Sequence, residues 1–431
     1  MPRFPTKAGF VAGLLGLLAL AGALWLRPRA PRVAGPLPHD VYVWQRVWNE
    51  PVVDAVREHG TNFAEVAVLA AEVAWQNGQP TVARVVPDYT ALRQAGVRLG
   101  LVLRIGPFTG PFAENDVTAQ FLSNLAGSVL DAARTNAVAP AELQIDFDCA
   151  EARLDGYAVW LGAIQKRVAP VPVTITALPS WLDRAAFRRL AAHATNYVLQ
   201  VHSLARPRGV NAPFALCDPP VARRAVERAG RIGIPFRVAL PTYGYELAFD
   251  PAGKLIGLAA DGPARTWPSG AQVREVRADP VAMADLVRGW RADRPAALRG
   301  VIWYRLPVVV DNLNWRWPTL AAIVASRSFR DHVRAESRRV EAGLVEISLI
   351  NDGDLDISSR LAVEVHWSRA DGGRLIAGDA VQGFSLLDEE PSQIRFQQDL
   401  PVTPLRAGET RTIGWLRLAH DGEVQLELQR N

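Results

Sequence analysis

The sequence predicts an α/β protein: a (β/α)8 TIM barrel followed by a small all-β sandwich, with an apolar transmembrane or signal helix at the N-terminus. Three observations predict it. Between about residues 40 and 330, short apolar strand segments alternate eight times with helical segments. From about Arg334 onward, period-two alternation replaces that pattern. Before residue 28, an unbroken apolar run is flanked by basic residues. The expected boundaries are a signal peptide or membrane anchor at 1–27, a Pro-rich linker at 28–39, the barrel at 40–330 and the sandwich at 331–431.

The apolar run spans 8–26, after Arg3 and Lys7 and before Arg27, Arg29 and Arg32. Its length just suffices to cross a bilayer. Small residues at Ala21-Gly22-Ala23 keep a cleaved signal peptide open as the alternative. Both readings place the body outside the cytoplasm, periplasmic or extracytoplasmic, anchored or secreted. The excess of basic charge comes from this segment. The chain has 48 basic and 44 acidic side chains, and the first 35 residues hold five basic and none acidic. The remainder is near neutral and carries no electrostatic footprint for nucleic acid.

The strands are expected at 41–44, 63–69, 97–105, 142–148, 171–178, 196–203, 236–241 and 301–306. A helical stretch follows each, starting near residues 49, 88, 117, 154, 183, 220, 279 and 319. The first helix has Pro51 in its opening turn and Gly60 at its end, the usual asymmetry of start and stop signals. An irregular, glycine-containing insertion separates the seventh strand from its helix. An open dinucleotide-binding sheet would need a glycine-rich turn after strand one, and Gln45-Arg46-Val47-Trp48 stands there instead. No cofactor motif is present. In the C-terminal region, strands are expected at 340–350, 361–367, 394–400, 410–418 and 424–428, with a turn at Asn351-Asp352-Gly353.

A barrel of this kind works at the C-terminal ends of its strands. Parallel barrel strands are normally apolar on both faces, so polar residues sharing a face near those ends need a reason. Asp146 and Asp148 are two apart at the end of strand four and share a face. Gln200 and His202 do the same on strand six. Arg104 ends strand three, and Thr174 and Thr176 lie on strand five. Tyr243 and Tyr245 follow strand seven, and Trp303, Tyr304 and Arg305 lie on strand eight. Trp44 closes strand one and Trp181 follows strand five. Glu65 sits deeper and reads as structural.

An acidic pocket lined with aromatics suits sugars. Aromatic faces stack on pyranose C–H surfaces, and paired carboxylates pass protons and stabilise an oxocarbenium-like transition state. The expected catalytic pair is therefore Asp148, as acid or main charge stabiliser, and Asp146, as its orienter and pKa partner. Trp44, Arg104, Trp181, Gln200, His202, Tyr243, Trp303 and Tyr304 are the expected substrate contacts. A metal built from Asp146, Asp148 and His202 has no supporting sequence spacing. The two cysteines, Cys149 and Cys217, form no metal motif, and their pairing in an exported body is left open.

Leu143-Gln144-Ile145-Asp146-Phe147-Asp148 resembles the fourth-strand motif of family 18 chitinase-like glycosidases, Asp-x-Asp-x-Glu with the Glu as general acid. Here the Glu position is Ala150, and Glu151 comes one residue late. Trp303 resembles the sugar-platform tryptophan of those enzymes. The barrel as a whole resembles a bacterial family known as domain of unknown function 3142. That likeness rests on Val41-Tyr42-Val43-Trp44-Gln45-Arg46, Gln144-Ile145-Asp146-Phe147-Asp148, Thr176-Ala177-Leu178-Pro179-Ser180-Trp181-Leu182, Leu199-Gln200-Val201-His202-Ser203 and Ala239-Leu240-Pro241-Thr242-Tyr243-Gly244-Tyr245. The resemblance implies a glycosidase-like barrel. A non-catalytic carbohydrate-binding barrel and a structural envelope protein are the alternatives.

Overall fold

The computed structural model describes residues 30–114, 116–260, 265–368 and 374–430. Eight parallel strands close on themselves: β1 (His39–Val43), β2 (Val66–Gln76), β3 (Leu99–Ile105), β4 (Pro140–Phe147), β5 (Val173–Ala177), β6 (Asn196–Gln200), β7 (Phe236–Pro241) and β8 (Leu298–Tyr304). Each pairs with the next. β1 closes the ring by pairing with both β8, Val301 opposite His39, and β2, Val41 opposite Val66. The helices follow in order: α1 (Glu50–His59), α2 (Tyr89–Ala95), α3 (Val117–Thr135), α4 (Leu154–Val168), α5 (Ala185–His193), α6 (Pro219–Ile232), α7 (Pro280–Ala292) and α8 (Trp317–Val324). This is the expected (β/α)8 barrel.

Local chemistry starts and stops the helices where the chain must turn. Asp88, Asp116, Asp218 and Asp279 each accept a backbone N–H of the first turn at the start of α2, α3, α6 and α7. Gly96 and Gly233 end α2 and α6 in the left-handed conformation that favours glycine. The helices bury one stripe each against the outer face of the strands. On α6 that stripe is Ala222, Ala225, Val226, Ala229 and Gly230.

The inside of the barrel is layered. Its lower layer is ionic: Arg237 of β7 pairs with Asp40 (3.0 Å), Glu65 (3.3 Å) and Glu142, all buried. Arg98 also reaches Glu65 at 3.0 Å, and the Thr174 hydroxyl donates to Glu142 at 2.7 Å. Three carboxylates around one central guanidinium leave an excess of negative charge, which protons relieve. Burial, with Glu142 next to it, pushes Glu65 up to about 8. Burial works the same way on Glu142, but Arg237 and the hydrogen bond from Glu65 bring it net below the usual range. Gly100 makes room for this cluster, since a Cβ there would lie 2.7 Å from Glu65 Oε1. The middle layer is apolar, with Ala67, Val102, Val198, Ala239 and Ile302 around Tyr42. The Tyr42 hydroxyl donates to Gln144 Oε1 at 2.7 Å, so the buried phenol is satisfied.

Two additions shape the mouth. β2 runs past the rim and folds back through Asn77–Gly78 as an antiparallel strand, Gln79–Arg84. After β7, the expected irregular insertion is a three-stranded antiparallel sheet, with Gly244–Phe249 between Leu255–Ala259 and Gln272–Arg277.

Beyond the barrel, β9 (Val333–Glu341), β10 (Leu344–Asn351), β11 (Leu361–Trp367), β12 (Leu375–Ala380), β13 (Phe384–Glu390), β14 (Gln393–Gln398), β15 (Thr410–Leu418) and β16 (Val424–Arg430) form two antiparallel sheets. Their orders are β9-β10-β15-β12 and β13-β14-β11-β16. Val345, Ile347, Val363, Val365, Phe396 and Ile413 fill one core between them, so the region is a sandwich. The expected strand at 340–350 is instead a hairpin turning at Gly343, and β9, β12 and β13 go beyond the expected set. The sandwich is joined to the barrel through polar contacts. Asp354, fully buried, accepts from Arg327 Nη2 (2.8 Å) and from the Arg330 backbone N–H (2.7 Å). Its carbonyl accepts the Thr319 hydroxyl of α8 at 2.5 Å. Arg406 donates to the carbonyls of Asn312 (2.8 Å) and Asn314 (2.5 Å).

The apolar run 8–26 lies outside the described residues. Among the described residues no helix is long and apolar enough to cross a membrane. Cys149 and Cys217 are both free and buried, so no disulfide joins them, and burial pushes both thiols up to about 12.

Candidate active site

A cavity of about 240 Å³ opens at the C-terminal mouth of the barrel. Its floor is the middle layer of the interior, through Tyr42, Val198 and Ala239. Its wall carries the last inward-pointing residue of several strands: Trp44, Arg104, Asp146, Thr176, Gln200 and Tyr304. The loops beyond the strand ends add Asp148, His202, Ser203 and Tyr243, and the insertion adds Tyr245 and Ala260. Eight expected site residues thus meet in one cavity: Asp146, Asp148, Trp44, Arg104, Gln200, His202, Tyr243 and Tyr304.

The other two do not reach it. Trp303 is fully buried on the opposite face of β8, where its Nε1 donates to His39 Nδ1 at 3.0 Å and its ring packs on Trp315. Successive strand residues point to opposite sides, so Tyr304 takes the inward place and Trp303 faces the helix layer. Trp181 lies in a short 3-10 turn and packs on Phe187, beneath the helix layer. Neither ring can serve as a platform at the mouth. Glu65 belongs to the ionic layer below. Tyr42, absent from the expected set, is legible by period two, because it shares the inward face of β1 with Trp44.

The acidic pair sits astride one arginine. Arg104 lies 3.9 Å from Asp146 Oδ2, 3.3 Å from Asp148 Oδ2 and 3.6 Å from Glu72 Oε1. Asp146 also accepts the Thr176 hydroxyl at Oδ1, 2.6 Å away. Burial holds the Asp146 carboxyl above the usual carboxylate range, against the pull of Thr176 and Arg104. Asp148 is more open to solvent, its side chain 48% exposed. The two carboxylates therefore occupy unlike environments, the arrangement by which neighbouring acids take separate roles.

Opposite them stands a polar aromatic wall. Tyr304 packs edge-on against Tyr42, Trp44 and Tyr243, with centroids 5.1–5.9 Å apart. His202 stacks on Tyr304 at 5.6 Å and meets the Tyr243 hydroxyl through Nδ1 at 3.2 Å. That hydroxyl is 3.2 Å from the Tyr245 hydroxyl, which is 3.0 Å from Ser203 Oγ. Burial drives the His202 imidazole down to about 3 and lifts the Tyr243 and Tyr304 hydroxyls, so all three are neutral near pH 7. The wall therefore offers neutral hydrogen-bonding groups, and the charge is concentrated on the opposite side.

Glu151, the acid nearest the missing Glu position, pairs with Arg184, and Ala150 is exposed. Among the described residues, the group of His and carboxylate side chains close enough to hold an ion is Glu364, His366 and Glu427 on the sandwich, where Glu364 also accepts from Gln429 at 3.0 Å. A larger cavity, about 510 Å³, lies between α1, α8 and the loop after β8, and none of the expected site residues lines it.

Residues 102–309, the greater part of the barrel including the acidic pair, match the family described as Domain of unknown function (DUF3142). Residues 334–419, within the sandwich, match a second family, Domain of unknown function (DUF8456). No curated protein matches the chain. Among solved structures, the chain is similar to the spore cortex-lytic enzyme SleL of Bacillus cereus, with 13% identity over 68% of this chain and 75% of that one and a TM-score of 0.47. It is similar to chitinase ChiA74 of Bacillus thuringiensis, with 9% identity over 91% and 100% and a TM-score of 0.43. A chitinase of Chromobacterium violaceum gives 14% identity over 68% and 98% and a TM-score of 0.42. The (β/α)8 architecture of this chain stands on its own strand order and register.

Proposed function

We propose that the protein is a glycoside hydrolase-like barrel that acts on a poly- or oligosaccharide at its mouth. The observation that carries this reading is the acidic pair Asp146 and Asp148, bridged by Arg104, facing a neutral aromatic wall across a cavity at the strand ends. Asp146 is the proposed proton donor. Its Oδ1 is engaged by Thr176, which leaves Oδ2 to carry the proton toward a glycosidic oxygen. Asp148, more open and beside Arg104, is the proposed stabiliser of positive charge developing at the anomeric carbon. This exchanges the two roles expected from the sequence, because it is Asp146 that burial favours in its protonated form. Gln200, His202, Tyr243 and Tyr304 hold hydroxyls, and Trp44 offers an aromatic edge.

The test is release of reducing ends from a broad panel of glycans by the wild type, Asp146→Asn and Asp148→Asn. General acid catalysis contributes about 10²–10⁴-fold, so Asp146→Asn should lose at least that much, and Asp148→Asn should lose most of its activity with the charge that stabilises the transition state, both with melting temperatures nearly unchanged. Full activity in either variant sinks its assigned role. A second reading, a carbohydrate-binding barrel without catalysis, is favoured by one observation: Ala150 stands where the resembled glycosidases place their acid, and Glu151 is held by Arg184. Glycan binding without product release by the wild type would establish it. We also propose that the protein works outside the cytoplasm, on the strength of the apolar run 8–26 and its basic flanks. Recovery of the full chain from the cytoplasmic fraction alone would refute that.

A further inference from the structure

A second depression, about 440 Å³, opens beside the mouth cavity and shares Arg104 and Asp148 with it. The hairpin builds its far wall. β2 is 11 residues long, and its outer half pairs with Gln79–Arg84, Ala74 opposite Thr81 and Glu72 opposite Ala83. Gly106 and Pro107 form the near side. The Gly106 N–H donates to the Val73 carbonyl at 2.8 Å, and a Cβ on Gly106 would lie 3.1 Å from that oxygen, so this floor stays free of side chain. An ion pair between Arg46 and Glu72 borders the groove (Nη2–Oε1 3.1 Å) and places charged hydrogen-bonding groups along small aliphatic surface.

Asp148 therefore lies between two depressions and not at the end of one. The mouth cavity alone, about 240 Å³, falls below the roughly 300–1,000 Å³ of ordinary ligand pockets, and the groove brings the whole into that range. We infer that the site takes a linear oligosaccharide across the Asp146–Asp148 pair, one part in the mouth cavity and the next part along the hairpin groove. This rests on the carbohydrate reading above. It makes the ligand a chain longer than a disaccharide, bound at an internal position.

Ala83→Trp and Thr81→Trp test it, because both residues are exposed on the hairpin and line the groove. The probes are β-1,4-linked glucose and β-1,4-linked N-acetylglucosamine oligomers, from disaccharide to hexasaccharide, titrated by calorimetry against the full chain. In the wild type, affinity should rise by about tenfold or more beyond the disaccharide. In both variants that rise should vanish, while disaccharide affinity and melting temperature hold. Length-independent affinity in the wild type, or a rise that neither variant touches, overturns the inference and leaves carbohydrate binding standing. Absence of binding at every length in the wild type overturns the carbohydrate reading, and the inference falls with it.

Discussion

Replacing Glu65 with Gln should flatten the pH dependence of stability across a window set by one buried carboxyl. In the folded barrel, burial and the neighbouring Glu142 raise Glu65 from 4.5 to about 8. A group whose folded value lies above its unfolded one contributes stability that is complete below the unfolded value and is lost as pH rises toward the folded one. Between pH 4.5 and about 8 the unfolded chain gives up this proton and the folded chain keeps it. Stability should therefore fall with rising pH, by up to about 1.4 kcal/mol per pH unit. Glu65 is only 5% exposed, so solvent screens little of this. Glu142 moves the other way, and its contribution is lost only as pH falls below the ordinary carboxylate range, outside the window. Gln cannot ionise and keeps one carbonyl to accept from Arg237 or Arg98. The variant's stability relative to wild type should thus climb across the window, by up to about 5 kcal/mol. Urea unfolding followed by tryptophan fluorescence, at fixed ionic strength and stepped pH, measures both curves. Parallel curves for wild type and Glu65→Gln would refute the protonated state of Glu65 and with it the charge balance of the lower layer.

Arg237→Met removes the cation shared by three buried carboxylates and should cost about 3–5 kcal/mol near neutral pH, measured by the same urea transitions. A loss below about 1 kcal/mol would show that the cluster is solvated. Arg104→Gln takes away a cation that lowers Asp146, so the Asp146 carboxyl should titrate higher, observed by carbon NMR of labelled aspartate. A downward or absent change would contradict the geometry of the pair. Cys149 and Cys217 should be nearly inert to a thiol reagent in the native protein and react at once in denaturant, because burial hides both and pushes both up to about 12. Rapid native labelling of either would show that its site opens.

Most of the barrel is written in local pattern. β7 falls at 236–241 and α4 at 154–168, where the apolar runs and helix stops place them. The acidic pair is equally legible, because two aspartates on one face of a buried strand have no packing reason to be there. The hairpin is harder. Asn77 and Gly78 both take positive φ, 50° and 77°, and Asn-Gly is a strong turn signal. The return strand Gln79–Arg84, though, is almost wholly exposed and contains Pro80, so it lacks the alternation that marks a strand. In the insertion after β7, Leu255–Ala259 and Gln272–Arg277 are mostly exposed or half-buried and likewise lack a clean alternation, and Gly244–Phe249 is buried without one. Trp303 shows a different limit. β8 is buried on both faces over Val301–Trp303, so residue type there does not say which side points inward. A shift of one position separates a sugar platform from a packing residue, and only closure of the ring decides it.

The junction between barrel and sandwich bears on any attempt to shorten the chain. Asp354 lies in the sandwich half of the sequence, yet its partners Thr319, Arg327 and the backbone of Arg330 come before it, at the close of the barrel. Arg406 in turn binds the carbonyls of Asn312 and Asn314 in the loop after β8. A cut near residue 331 would strip the barrel's last helix of its anchor and leave the loop that follows Tyr304 without its clamp. The sandwich behaves as a keystone for one side of the mouth: a barrel freed of it should present a changed cavity even though no sandwich residue lines it.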